Sequence, residues 1–179
     1  MGFFKNLREG LSRYIYESSA ESTPINVLVR QLRPIRKAGT EHETMAASAA
    51  HKQLFVTTRF SREKVQAALI KGIYEAYEAK DILVIEACME ALRMQSQCLS
   101  RADVARAMLD VLKEVPEPDL NEFIWYNAQR YFTLWSRPLP ADQMPGFIEQ
   151  CETLITIHPA QKAVLEKIRD HVLTVSKRA

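Results

Sequence analysis

Apolar residues recur every three or four positions from Ser61 to near the C-terminus, and this spacing constrains the fold more than any other feature. It is the period of one face of an α-helix, because side chains three and four residues apart lie on the same side. After Ser61, the positions expected to face inward are Val65, Ala68, Leu69, Gly72, Ile73 and Ala76. The pattern predicts an all-α fold in which strands have almost no part.

Capping residues and prolines divide the periodic region into separate predicted helices. The predicted starts are Ser61, Ser100, Asp119 with Glu122 as its capping-box partner, Asp142, and His158 with Pro159. Lys80 and Asp81 are compatible with a turn, but no glycine or proline forces a break there, so residues 61–96 form either one helix or a hairpin. Helices of this length with short connections predict an irregular or orthogonal bundle of about six to seven helices.

An amphipathic helix is predicted at the N-terminus, over residues 1–17. Its apolar residues share one arc of about 120° on a helical projection. They are Phe3, Phe4, Leu7, Leu11, Tyr14 and Ile15. The basic residues Lys5, Arg8 and Arg13 lie outside this arc. The polar run of residues 18–24 predicts a tether between this helix and the rest of the chain.

Two uses of the N-terminal helix stay open. Its apolar stripe could dock onto protein, either the bundle or a second copy of the chain. Alternatively it could lie in a membrane interface, with the basic residues near anionic headgroups. The face that would be buried in either case consists of Phe3, Phe4, Leu7, Leu11 and Ile15. Phenylalanines at the tip and the tether favour the membrane, whereas the short length and two glutamates oppose it.

Residues 25–60 form a predicted basic helical segment ahead of a bundle core of residues 61–179. Residues 1–64 carry eleven Lys and Arg against six Asp and Glu, so positive charge is concentrated at this end. The candidates for contact with an anionic partner are Lys5, Arg8, Arg13, Arg30, Arg33, Arg36 and Lys37. If Pro34 kinks the helix without ending it, Arg30, Arg33 and Lys37 line one side. A solvated face, anionic lipid and nucleic acid all fit, although the pI of 8.4 is below the value of about 9 typical of nucleic-acid-binding domains.

Residues 119–135 hold an unusual concentration of aromatic side chains, including both tryptophans of the chain. The set is Phe123, Trp125, Tyr126, Tyr131, Phe132 and Trp135. Because these positions surround the predicted helix, either the helix packs on all sides or one face lines a protein interface. Trp125 and Tyr126 are the predicted outward members and are therefore the candidates for contact with a protein partner.

The chain contains none of the motifs that carry common catalytic or cofactor chemistry. Its five glycines are too far apart for a phosphate-binding loop, and no His or Glu spacing matches a metal-binding helix pair. The three cysteines lie in apolar helical runs, as expected of reduced thiols in a cytoplasmic protein. No apolar run reaches the roughly 20 residues of a transmembrane helix. We therefore predict a non-enzymatic protein without a metal, a cofactor or a small-molecule substrate.

Together these patterns favour a helical adaptor or scaffold that acts through protein–protein interaction or self-association. Its N-terminal helix would attach it peripherally to an anionic membrane or complete a homo-oligomer. The protein would then lie in the cytoplasm, or at the cytoplasmic face of a membrane. The alternative is a small helical nucleic-acid-associated protein, viral or regulatory, that uses the basic N-terminal third. An enzyme ranks third.

Overall fold

A computed structural model describes residues 12, 14–34, 39–95, 98 and 100–178. All regular elements within these residues are helices, so the all-α prediction is confirmed. The α-helices of the described residues are α1 (residues 14–22), α2 (Ile25–Gln31), α3 (Glu41–His51), α4 (Arg62–Glu78), α5 (Ile82–Met94), α6 (Ala102–Glu114), α7 (Glu122–Thr133), α8 (Met144–Ile157) and α9 (Lys162–Lys177). Shorter elements include a π turn after α3 (Lys52–Val56) and 3-10 turns before α7 (Glu117–Asp119) and α9 (Pro159–Gln161).

The described residues fall into two compact units, one ending at Cys88 and the other beginning at Met89. In the first unit, α2 packs against α3, α4 and the π turn. In the second unit, α6 and α9 each pack against both α7 and α8. The sequence prediction instead separates residues 25–60 from a core of residues 61–179.

The inward face of α4 follows the predicted spacing closely. Its buried residues are Val65, Gln66, Leu69, Gly72, Ile73 and Ala76. Ala68 is only half-buried, and Gln66 takes an inward place that an apolar pattern does not reveal. Gly72 allows α2 to approach closely, because a Cβ at this position would lie 2.4 Å from Val29 Cγ1. The packing of α2 on α4 therefore depends on the absence of a side chain at residue 72.

The chain turns between α4 and α5, so these are two helices and not one. Lys80 has a φ of 56°, which is in the left-handed region. The Lys80 N–H donates to Tyr77 O at 3.0 Å, and the Asp81 N–H donates to Ala76 O at 2.8 Å. This pair of bonds is the Schellman motif that ends many helices. Asp81 then caps α5, because its Oδ1 accepts a hydrogen bond from the Val84 N–H at 3.2 Å.

Replacing Lys80 by glycine is expected to raise the free energy of unfolding by about 0.5–1 kcal/mol, because a side chain in the left-handed region strains the backbone. Ser100, with a φ of 58°, is the matched control. Its hydroxyl accepts hydrogen bonds from the N–H groups of Ser136 at 2.8 Å and Arg137 at 3.2 Å, which glycine would lose. In urea denaturation, Ser100→Gly should therefore stabilise less than Lys80→Gly, or destabilise. An equal gain from both substitutions would contradict this account.

Of the two serines predicted to be N-caps, Ser61 and Ser100, only the first caps a helix. Ser61 caps α4, because its hydroxyl accepts a hydrogen bond from the Lys64 N–H at 3.3 Å, and this prediction is confirmed. The prediction for Ser100 is wrong, because Arg101 occupies the N-cap position of α6. The left-handed backbone of Ser100 directs its hydroxyl to the chain that follows α7 instead.

The predicted caps of α7 and α8 are also wrong. Asp119 lies in a 3-10 turn, and Asn121 caps α7 by accepting hydrogen bonds from the N–H groups of Phe123 and Ile124 at 3.0 and 3.1 Å. At α8 the N-cap position is held by Gln143 and not by Asp142. Asn121 lies two positions after Asp119, and Gln143 directly follows Asp142, so the sequence alone did not determine which residue precedes the first helical turn.

The run of residues 18–24 is mostly helical, which corrects the predicted tether. α1 continues to residue 22, five residues past the predicted end at residue 17. The hydroxyls of Ser22 and Thr23 donate to Ser19 O at 3.3 and 2.9 Å, so these polar side chains bond within the last turn. Pro24 disfavours helical backbone at the residue before it, and so it ends α1.

The apolar face of α6 and the aromatic end of α7 supply much of the core of the second unit. The buried α6 residues include Val104, Met108, Leu109 and Leu112. Tyr131 and Phe132 are fully buried, and Trp135 just after α7 is buried beside them. The rings of Phe132 and Trp135 stack at 23° with centroids 6.1 Å apart. Two of the five aromatic residues of α7 are thus buried in the core, and Trp135 extends this cluster beyond the helix.

Candidate interaction surfaces

One side of α1 is held against the first unit by specific contacts. They are an edge-on ring pair of Tyr16 and His42 with centroids 5.0 Å apart, an ion pair of Glu17 with Lys52 at 2.6 Å, and a hydrogen bond from Arg59 Nη1 to Ala20 O at 2.8 Å. Ala20 is buried at this contact. The described part of the N-terminal helix is therefore packed against the protein.

The other side of α1 carries two exposed apolar side chains. Tyr14 is 71% exposed and Ile15 is 57% exposed. At about 100° per residue, the direction midway between them lies roughly opposite the side formed by Tyr16, Glu17 and Ala20. Both belong to the predicted apolar stripe, so the described end of that stripe points away from the contacts that hold α1.

Most of the predicted stripe and its basic flank lie outside the described residues. These are the apolar Phe3, Phe4, Leu7 and Leu11, and the basic Lys5, Arg8 and Arg13. Their predicted roles stay predictions. Arg36 and Lys37 of the basic segment also lie outside the described residues.

The two described arginines among the predicted contacts with an anionic partner, Arg30 and Arg33, are already engaged. Arg30 Nη2 donates to Glu75 Oε2 at 3.1 Å, and this bond, with a second from Lys71, lowers the pKa of Glu75. α2 ends at Gln31, so Arg33 lies beyond the helix and does not share a helical face with Arg30 as predicted. Arg33 Nη1 instead donates to Arg30 O at 3.1 Å and to Leu32 O at 2.8 Å. Arg33 thus satisfies carbonyl groups at the end of α2.

The two predicted interface aromatics differ in exposure. Trp125 is half-buried, and its ring meets the ring of the buried His158 edge-on with centroids 5.3 Å apart. Tyr126 is 48% exposed, and the guanidinium carbon of Arg93 lies 5.5 Å from its ring centroid. Arg93 Nε also donates to Asn127 Oδ1 at 2.8 Å, which orients the cation beside the ring. Tyr126 is the member of the pair that presents an accessible ring.

The structure has a groove between α6 and α8 that was not predicted from the sequence. Its volume is about 670 Å³. The lining residues are Ala102, Asp103, Ala105, Arg106, Leu139, Asp142, Gln143, Gly146, Phe147 and Gln150. Three of them are alanine or glycine, and a hydrogen bond from Gln150 Nε2 to Asp110 Oδ1 at 2.8 Å joins the two helices beside it. The small residues are visible in the sequence, but only the pairing of α6 with α8 makes them a groove.

The three cysteine thiols lie in the interior of the protein. All three cysteines are buried, and burial raises the pKa of Cys98 to about 11 and that of Cys151 to about 12. Burial also raises the pKa of Cys88. These thiols are protonated at neutral pH and are poor nucleophiles. Within residues 14–34, 39–95 and 100–178, no three His, Cys, Asp or Glu side chains are placed to hold a metal ion.

None of the described helices is both long enough and apolar enough to cross a bilayer. Comparison of the chain with protein-family models, with curated proteins and with solved structures finds no match.

Proposed function

We propose that this protein is a non-enzymatic helical adaptor that attaches peripherally to a membrane through its N-terminal helix and binds other proteins through its helical body. One observation carries the proposal. The described end of the predicted apolar stripe, Tyr14 and Ile15, is exposed on the side of α1 opposite its contacts with the first unit. A stripe that served only to dock α1 onto its own unit would face those contacts.

The free energy expected from burying the stripe in a membrane interface is typical of weak, reversible attachment. Full burial of one apolar side chain contributes about 1.5–3 kcal/mol, and burial in a membrane interface is partial. The predicted stripe has six apolar residues, flanked by Lys5, Arg8 and Arg13, whose charge would favour anionic headgroups. We expect weak attachment at the cytoplasmic face of a membrane, strengthened by negatively charged lipid.

Two features of the second unit support the protein-binding part of the proposal. The exposed Tyr126 ring beside Arg93 is of the residue types enriched where protein interfaces gain most of their energy. The α6–α8 groove offers about 670 Å³ for a partner side chain or helix. The alternative, nucleic-acid association through the basic segment, has less support because Arg30 is paired with the Glu75 carboxylate and α2 ends at Gln31, before Arg33.

Flotation of the full-length protein with anionic vesicles tests the membrane attachment. Ile15→Asp should reduce binding at least tenfold, because it removes an exposed apolar side chain and adds a negative charge. Val27→Asp is the matched control, since Val27 is an exposed aliphatic residue on α2 and not on the stripe. Equal binding of all three proteins would refute the proposal. A solution mass that falls from dimer to monomer in Ile15→Asp, without vesicle binding by the wild type, would assign the stripe to a second copy instead.

A further inference from the structure

The connection from the π turn to the start of α4 carries an exposed aliphatic residue beside a cluster of cations. Val56, the last residue of the π turn, is 68% exposed. Four residues later, the Phe60 ring lies under two cations, with the Arg59 guanidinium carbon 4.5 Å and Lys64 Nζ 5.6 Å from its centroid. We call Val56, Arg59, Phe60, Arg62 and Lys64 the basic turn.

The backbone of the basic turn is held firmly on its protein side. Gln53 and Leu54 are buried, so the π turn is anchored in the first unit. The Thr57 N–H donates to Lys52 O at 3.0 Å, and the Thr57 hydroxyl donates to Gln53 O at 3.0 Å. Val56 is therefore presented outward by a bonded backbone, and the core does not use its side chain.

The charge of this segment is strongly one-sided. Residues 52–64 include four Lys or Arg and a single carboxylate, that of Glu63. Lys52 pairs with Glu17, whereas Arg62 is exposed and forms no ion pair within the described part of the chain. Arg59 donates to a neutral carbonyl, Ala20 O, and so keeps its net charge. An anionic surface is the complement of such a patch.

We propose that the basic turn is a second membrane contact, in which Arg59, Arg62 and Lys64 bind anionic phospholipid headgroups and Val56 enters the boundary of the acyl chains. The inference rests on the proposed attachment through α1. The bond from Arg59 to Ala20 O places the basic turn beside α1, and Ile15 precedes Ala20 by about 7.5 Å along the helix axis. Two weak contacts on one bilayer bind far more tightly than either does alone.

Lipid suits the basic turn better than nucleic acid does. Single-stranded nucleic acid is bound by free aromatic faces on which bases stack. Here the one aromatic ring, Phe60, is already covered by Arg59 and Lys64. The exposed apolar group is the aliphatic Val56, which offers no stacking face but inserts readily among acyl chains.

The test measures flotation of the full-length protein with phosphatidylcholine vesicles that contain phosphatidylserine or lack it. Each cation near an anionic surface changes binding about fivefold, so Arg62→Gln/Lys64→Gln should lower binding to phosphatidylserine vesicles roughly 30-fold. Lys113→Gln/Lys162→Gln removes the same charge from the second unit, where both lysines pair with neighbouring glutamates, and should change little. Val56→Asp should lower binding about tenfold. Far-UV circular dichroism verifies that each variant is folded.

The outcomes separate this inference from the proposed function. Loss of binding in Ile15→Asp, with no loss in the basic-turn variants, would overturn the inference and leave attachment through α1 standing. Loss of binding in the basic-turn variants, with no loss in Ile15→Asp, would support the membrane contact at the basic turn and refute attachment through α1. If Lys113→Gln/Lys162→Gln lowers binding as much as Arg62→Gln/Lys64→Gln does, the effect is one of overall charge, and the inference is overturned. Absence of flotation, with binding to a single-stranded oligonucleotide that the basic-turn variants lose, would overturn it in favour of nucleic acid.

Discussion

Gly72→Ala is expected to lower the free energy of unfolding by about 1–2 kcal/mol, although alanine is the better helix former at almost any other helical position. The new Cβ would lie 2.4 Å from Val29 Cγ1 and 3.5 Å from Cys88 Sγ. Val29 is buried, and its branched side chain has a single preferred rotamer in a helix. The clash is therefore relieved only by moving α2 away from α4. Overpacking of this kind costs about 1–3 kcal/mol, against roughly 1 kcal/mol gained in helix propensity.

Gly146→Ala is the matched control for this substitution. Gly146 is also inside a helix, but a Cβ at this position would meet no atom within 4 Å, and the residue is exposed. Alanine should therefore stabilise the protein by about 0.5–1 kcal/mol. Urea denaturation followed by circular dichroism measures both effects, which should have opposite signs.

A double-mutant cycle identifies the clash. Val29→Ala removes the atom that the new Cβ would meet, so Gly72→Ala should cost clearly less in the Val29→Ala background than in the wild type. If the two substitutions are additive, or if Gly72→Ala stabilises as Gly146→Ala does, the close approach of α2 to α4 is wrong.

Gly72 shows which features of the fold could be predicted from the sequence and which could not. The apolar spacing on α4 correctly placed Leu69, Gly72 and Ile73 on the inward side, because that spacing is a property of one helix alone. It did not identify Val29 as the contact of Gly72, since residues 43 positions apart meet only through the packing of α2 on α4. The α6–α8 groove was missed for the same reason.

Helix ends were predicted less well than helix faces, and the start of α6 shows why. Serine is preferred over arginine at N-cap positions, yet Arg101 and not Ser100 holds the N-cap position of α6. A contact from α7 fixes the backbone there, because the Tyr131 hydroxyl bonds to Arg101 at both its N–H and its C=O. Local preference for a cap yields to such a tertiary contact. Tyr14 and Ile15 lie on one exposed side of α1, but their spacing in the sequence did not determine which way that side faces.

Tyr131→Phe is expected to lower the free energy of unfolding by about 1–3 kcal/mol, although it removes a single oxygen atom. The ring is fully buried, and its hydroxyl lies 2.9 Å from Cys98 O and 3.0 Å from Arg101 O, to which it donates. The same oxygen accepts a hydrogen bond from the Arg101 N–H at 3.2 Å. Burial raises the pKa of Tyr131, so the hydroxyl stays a donor over the physiological range. Phenylalanine would remove the bonds to Cys98 O and to the Arg101 N–H and so loosen the start of α6, although Arg101 O would keep its hydrogen bond from the Ala105 N–H at 2.9 Å.

Tyr126→Phe is the matched control for this last prediction. It makes the same chemical change five residues earlier on α7, where the side chain is 48% exposed and water can replace any lost bond. Its effect should stay within about 0.5 kcal/mol. Amide hydrogen exchange adds a local readout. The N–H groups at the start of α6 should exchange faster in Tyr131→Phe than in the wild type, whereas in Tyr126→Phe they should exchange at the wild-type rate. Equal effects of the two substitutions on stability and exchange would mean that the Tyr131 hydroxyl does not organise this helix start.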